Sequence, residues 1–148
     1  TTRLCLRWLD EHLQGNESIL DYGCGSGILA IAALKLGAAR AVGVDVDLQA
    51  VISSRDNAIA NQVEMVNFYQ PDEAPQGQYD LVVANILTNP LRMLAPLLAN
   101  ATQSGGRIVL SGILQEQAEG VMDIYQQWFN FDAPVFEEGW TCLSGRKH

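Results

Sequence analysis

Asp21, Gly23, Gly25 and Gly27 alternate in the run Ile19-Leu20-Asp21-Tyr22-Gly23-Cys24-Gly25-Ser26-Gly27, and Asp45 and Asn85 each close a later apolar run. An acid followed by alternating glycines has a definite physical use. Glycine tolerates positive φ and, lacking a Cβ, lets backbone come close to a ligand. The helix expected behind Gly27 adds unpaired N–H groups at its first turn. A plain strand-to-helix turn needs fewer glycines and no acid. Asp45 lies 24 positions after Asp21, the length of one strand–helix–strand unit. A carboxylate at the end of that second strand can accept both hydroxyls of a ribose, which suits a ligand carrying adenosine. Asn85 opens the stretch Asn85-Ile86-Leu87-Thr88-Asn89-Pro90-Leu91. Its side-chain oxygen, with the carbonyls that follow, can accept hydrogen bonds from an amine and orient the amine's lone pair. Asn89 and Pro90 read as the cap and first residue of the next helix, so capping does not account for Asn85.

The elements that must hold these residues follow from periodicity. Cys5, Trp8, Leu9 and Leu13 recur at helical spacing over Thr1 to about Gln14, and Gly15-Asn16 ends that helix. His12 lies beside its apolar stripe and reads as a surface or packing residue. Ser18 to Tyr22 is a short buried strand, Ile28 to Leu36 a helix stopped by Gly37, and Ala41 to Asp45 a second strand. Asp47 caps a helix through about Asn61. Met65 to Tyr69 is a weaker strand, Gln70 to Gln78 a surface loop, and Tyr79 to Asn85 the clearest central strand. A helix follows with Leu91, Leu94, Ala95 and Leu98 inward; Gly105-Gly106 then turns into a strand from Arg107 to Ser111. Ala118, Val121, Met122, Tyr125 and Phe129 mark a last helix, and Phe131 to Arg146 reads as two strands joined by a turn. Alternating strands and helices predict a parallel sheet covered on both faces, with an antiparallel edge at the C-terminus.

At 148 residues, 48% hydrophobic and 18% charged, the chain is one globular domain. Its net charge of −8 and the lack of a polybasic block exclude tight, sequence-independent binding to nucleic acid and favour a basic protein partner. Cys5, Cys24 and Cys142 are odd in number and scattered, as reduced thiols of a cytoplasmic protein are. No metal-ligand spacing, signal peptide or membrane span is visible. The chain starts at Thr1 inside a helical pattern without an initiator Met, so a fragment of a longer protein is expected.

The Asp-x-Gly-x-Gly-x-Gly pattern resembles motif I of Rossmann-like methyltransferases that use S-adenosylmethionine. Gly25-Ser26-Gly27-Ile28-Leu29-Ala30 also fits the dinucleotide fingerprint, with Asp45 twenty residues on. Two features separate the cofactors. An acid ahead of the glycines suits a ligand with an ammonium and a sulfonium better than a pyrophosphate, and Asn85 has no use in hydride transfer. Asn85-Ile86-Leu87 is similar to the Asn-Pro-Pro-Tyr of amino-group methyltransferases, with Ile-Leu replacing Pro-Pro.

Taken together, Thr1 to Leu6, Asp21 to Ala33, Gly43 to Asp47, Ala84 to Leu87, Leu110 to Leu114, Glu137 to Trp140 and Ser144 to Lys147 resemble the bacterial methyltransferases of ribosomal protein L-eleven over essentially the whole chain. The resemblance implies the class I fold: a mostly parallel seven-stranded sheet with an antiparallel C-terminal hairpin and helices on both faces. It implies trimethylation of lysine side chains and of the N-terminal α-amine of a large-subunit ribosomal protein. It also implies that residues 1–148 form the S-adenosylmethionine-dependent domain, with an N-terminal substrate-recognition domain and a Gly-Thr-Gly-Thr-His stretch missing before Thr1. Cofactor contacts are expected at Thr2, Asp21, Gly23, Gly25, Gly27, Asp45 and Asn85, and Asn85 is the candidate catalytic residue. Leu48 and Gln62 stand where the family usually has Pro and Gly, away from those positions. Two other classes stay open: an amino-group methyltransferase acting on glutamine, another lysine protein or a base, and a non-catalytic cofactor-binding module.

Overall fold

The computed structural model describes all residues, 1–148. Helix α1 (Thr2–His12) is followed by β1 (Ser18–Tyr22), α2 (Ile28–Lys35), β2 (Arg40–Val44), α3 (Leu48–Ala60) and β3 (Val66–Tyr69). Then come β4 (Tyr79–Asn85), α4 (Thr88–Ala101), β5 (Thr102–Leu114), α5 (Ala118–Tyr125), β6 (Phe129–Phe131), β7 (Val135–Glu137) and β8 (Trp140–Lys147). The strands form one sheet in the order β3-β2-β1-β4-β5-β8-β6, with β7 also on β8. β1 to β5 run parallel, and β6, β7 and β8 are antiparallel to their neighbours.

Strand alternation builds two cores. Ile19, Ala41, Leu81, Val83 and Val109 face α1, α2 and α3. Their sequence neighbours Leu20, Val42, Val82, Ala84, Ile108 and Leu110 face α4 and α5. This is the period-2 pattern of a sheet covered on both sides, and it accounts for the nearly unbroken apolar runs of the central strands. The α1 stripe buries Leu4, Cys5, Trp8 and Leu9. No helix is long and apolar enough to cross a membrane.

Several boundaries differ from the sequence expectation. Asn89 is not the cap of α4: the helix already begins at Thr88, with Leu87 at the capping position and no side-chain cap bond. Thr88 Oγ1 instead donates to Gln117 Oε1 at 2.6 Å, which anchors that turn from the loop after β5. The last helix stops at Tyr125, because Phe129 enters β6 opposite Lys147. The two terminal strands are three: β6 and β7 share one edge of β8, and the register slips by one residue between Phe131↔Gly145 and Val135↔Cys142. Pro134, which has no N–H to give, lies in that break. β7 and β8 form the expected hairpin through Glu138 and Gly139, both at positive φ.

Candidate functional site

In an open parallel sheet, ligands meet the carboxyl ends of the strands where the order reverses, here around β1 between β2 and β4. The glycine turn is laid over the end of β2: the amides of Gly23 and Cys24 donate to Val44 O at 2.7 and 3.0 Å. Gly23, Gly25 and Gly27 have φ of 78°, 55° and 82°, a conformation that side chains strain to adopt. Gly27 caps α2, so the turn delivers the chain directly into that helix.

Asp45 is the most firmly placed of the expected residues. The Gly25 amide donates to its Oδ2 at 2.9 Å and the Asp47 amide to its Oδ1 at 3.0 Å. A carboxylate has about four lone-pair directions, so these two bonds orient the group and leave accepting capacity on both oxygens. Asp47 caps α3, accepting from the Gln49 amide at 2.9 Å.

Asp21 lies elsewhere. Alternation along β1 turns it to the same face as Ile19, under α2, where it is 1% exposed and accepts from the Ala30 amide at 3.2 Å. Burial pushes its carboxyl up to about 7, the Ala30 N–H opposes that rise, and the charge of Asp45 adds to it. Cys24 packs beneath the same turn, and burial pushes its thiol up to about 12.

Tyr22, Gly23, Asp45, Val46, Ile86, Leu87, Pro90 and Leu94 line a cleft of about 350 Å³. Its walls are mostly apolar, and Val46 and Leu87 stand 77% and 67% exposed at its rim. The turn and the loop after β4 touch across it, since a Cβ on Gly23 would collide with the Ile86 side chain. Asn85, one residue before Ile86, is not a lining residue. Its Nδ2 donates to Thr2 Oγ1 at 3.2 Å, and its Oδ1 is buried without a hydrogen-bond partner. Buried acceptors are nearly always paired in folded proteins, so this oxygen is an exception, one residue from the Ile86 wall.

Three residues that sequence reasoning left aside, Ser54, Asn57 and Gly112, help build the site together with Ile86 of the Asn85-Ile86-Leu87 motif. Ser54 and Asn57, three apart on α3, donate to Gly25 O and Ser26 O. Ile86 closes one wall, and its amide donates to Ser111 O at 3.1 Å. Gly112 lies against it: φ is +84° there, and a Cβ would strike the Ile86 carbonyl. The signal for Gly112 was a glycine ending an apolar strand run, whereas Ser54 and Asn57 look like ordinary polar positions of a helix.

The family described as Ribosomal protein L11 methyltransferase (PrmA) matches residues 1–148. Curated relatives of that name from Chromobacterium violaceum and Thiobacillus denitrificans are 66% and 65% identical over 147 residues, 99% of this chain and 49% of each relative. The crystal structure of the ribosomal protein L11 methylase from Lactobacillus delbrueckii subsp. bulgaricus is 30% identical, with a TM-score of 0.93, over 100% of this chain and 79% of that one. The RNA methyltransferase of Salinibacter ruber, solved in complex with S-adenosyl-L-homocysteine, shares the fold at a TM-score of 0.79 and 24% identity, over 99% of this chain and 92% of that one. The chain spans about half the length of the curated relatives it matches. With a whole-length family match and two-thirds identity to named relatives, the chain belongs to the ribosomal protein L11 methyltransferase family.

Proposed function

We propose that this chain is the S-adenosylmethionine-binding half of an enzyme that methylates amino groups, on lysine side chains and an N-terminal α-amine, of a large-subunit ribosomal protein. The observation that carries this reading is Asp45, fixed by the amides of Gly25 and Asp47 at 2.9 and 3.0 Å beside Gly23 on one cleft. That is an acceptor arranged for a diol, next to backbone that a ligand can approach closely. Family membership supports the same cofactor, as does a fold neighbour solved with S-adenosyl-L-homocysteine.

When bound, S-adenosylmethionine supplies a methyl group already activated on a sulfonium. The protein's share of the work is then alignment and exclusion of water, and alignment alone is worth up to about 7–11 kcal/mol. Asp45 holds the ribose, and Gly25 leaves the turn open to close approach. Gly23 and Gly27 present their backbone to the ligand, while their missing Cβ makes room for Ile86 and for Ser54 and Phe68, respectively. Thr2, at the first turn of α1, joins the site through Asn85. Asp21 acts from behind the turn: once ionised, its charge favours a cationic ligand at the glycine turn. Asn85 Oδ1 accepts a hydrogen bond from the substrate amine and fixes the direction of its lone pair. The amine loses its proton to solvent before transfer, and Val46, Ile86 and Leu87 shield the reacting groups from bulk water.

Recognition of the protein substrate is assigned to the other half of the relatives' length, and the net charge of −8 favours a basic partner in the cytoplasm. A radiolabel transfer assay tests this. The chain and a full-length protein containing it are each given labelled cofactor and the ribosomal protein. Label on amino groups is expected with the full-length protein, and little from the chain alone. Label on RNA but not on protein, or full-rate transfer by the chain alone, would contradict the assignment.

A further inference from the structure

Helix α3 reaches back over the glycine turn. Ser54 is fully buried; its hydroxyl donates to Gly25 O at 2.8 Å and lies 3.6 Å from Cys24 Sγ. One turn on, Asn57 Nδ2 donates to Ser26 O at 2.9 Å. Residues three apart share a helix face, so two successive carbonyls of the turn are gripped from one side.

On the other side of Gly25, its amide donates to Asp45 Oδ2 at 2.9 Å. Gly25 therefore sits between two polar anchors, Asp45 on its N–H and Ser54 on its carbonyl. Packing does not confine it: a Cβ built there would meet no atom within 4 Å, and its φ is +55°. Beyond these two anchors only the turn bond from the Gly27 amide to Cys24 O, at 2.8 Å, spans it. An exposed glycine without packing neighbours has the largest backbone freedom of any residue. Hydrogen bonds, not sterics, set its conformation. Releasing the carbonyl leaves the peptide after Gly25 held by that turn bond alone, so the turn has more room to shift and the amide aimed at Asp45 is held less firmly.

We propose that Ser54 and Asn57 are positioning residues for cofactor binding, holding the glycine turn so that Gly25 fixes the Asp45 carboxylate for a ribose diol. The inference rests on the cofactor reading above. A role in packing α3 against the turn would lower stability alone; a positioning role is coupled to Asp45.

The test is a double-mutant cycle read by isothermal titration of S-adenosylhomocysteine into the chain, with melting temperature and circular dichroism followed alongside. Ser54→Ala is expected to weaken binding roughly three- to tenfold, the worth of one hydrogen bond. Asn57→Ala, an exposed truncation that leaves the core intact, is expected to weaken it about two- to threefold, at the low end of the same range. In an Asp45→Ala background each loss should shrink below about twofold, because contacting residues in one network do not add. Affinity unchanged by both substitutions, or equal losses with and without Asp45, overturns the positioning role. Wild-type chain that binds no S-adenosylhomocysteine overturns the cofactor reading itself, and this inference with it.

Discussion

Asn85 Nδ2 donates to Thr2 Oγ1 at 3.2 Å, joining the carboxyl end of β4 to the first turn of α1 across 83 positions of chain. The bond uses the amide's donor end, while Oδ1 stays buried and unpartnered. Buried acceptors left unpaired are rare, and this one lies one residue before Ile86, which forms a wall of the cleft.

Asn85→Ala, in a full-length enzyme carrying this domain, should therefore lower kcat by more than it raises KM, because alignment matters most at transfer. Misplacement of a reacting group can cost about 10²-fold, which sets the scale. Thr2→Val, which keeps the volume and deletes the hydroxyl, should shift kcat in the same direction by less. Steady-state kinetics at saturating cofactor distinguish the cases. A KM effect with kcat intact would make Asn85 a binding residue only.

Asp45→Ala should weaken S-adenosylhomocysteine binding at least about tenfold, since hydrogen bonds to a charged group are worth about 1.5–3 kcal/mol. Calorimetry on the folded variant checks it. Unchanged affinity would remove the ribose from Asp45.

The buried acid gives a pH signature. Asp21's carboxyl is raised from 3.8 to about 7, chiefly by burial, so the folded chain keeps a proton that the unfolded chain releases above about pH 4. The stabilising contribution of the protonated form is complete below that pH and is lost as pH rises through 7. Once the group is ionised, the cost approaches about 4 kcal/mol for a shift of this size. Asp21→Asn, which keeps an oxygen for the Ala30 amide, should melt higher than wild type at pH 8, and the gap should close near pH 4. Differential scanning calorimetry across that range decides it; a gap independent of pH would mean that ionisation of Asp21 is not the source.

Gly112→Ala should destabilise the fold by roughly 1–3 kcal/mol, from left-handed backbone strain and a collision with the Ile86 carbonyl. It should also disturb the cleft wall that Ile86 forms. Gly77→Ala is the control, since its φ is ordinary and no atom lies within 4 Å of its Cβ position. Urea midpoints of the two variants should separate clearly; equal midpoints would show that the loop after β4 yields without cost.

The two-faced sheet was legible because alternation along β1, β4 and β5 sends neighbouring apolar residues to opposite cores, a pattern written locally in the chain. Asp45 was legible for a similar reason: one strand–helix–strand unit fixes its distance from the glycine turn. What was not legible depends on contacts distant in sequence. Thr88 starts α4 ahead of Asn89 because Gln117, 29 positions away, supplies a partner that no local capping rule foresees. The broken edge of β6 and β7 follows from pairing with β8, and Ser54 gains its meaning only when α3 folds over Gly25. Asp21 shows the limit most clearly. Its place at a strand end was evident, but the face it takes is set by the register of β1, and that turns it under α2 and away from the cleft.

The most direct test of the central claim is a calorimetric titration of the chain with S-adenosylhomocysteine and, separately, with NAD. Both ligands carry an adenosine ribose, and the glycine pattern alone fits either. The account predicts saturable one-to-one binding of S-adenosylhomocysteine and no detectable heat with NAD. Binding of NAD in its place, or of neither ligand, would contradict it.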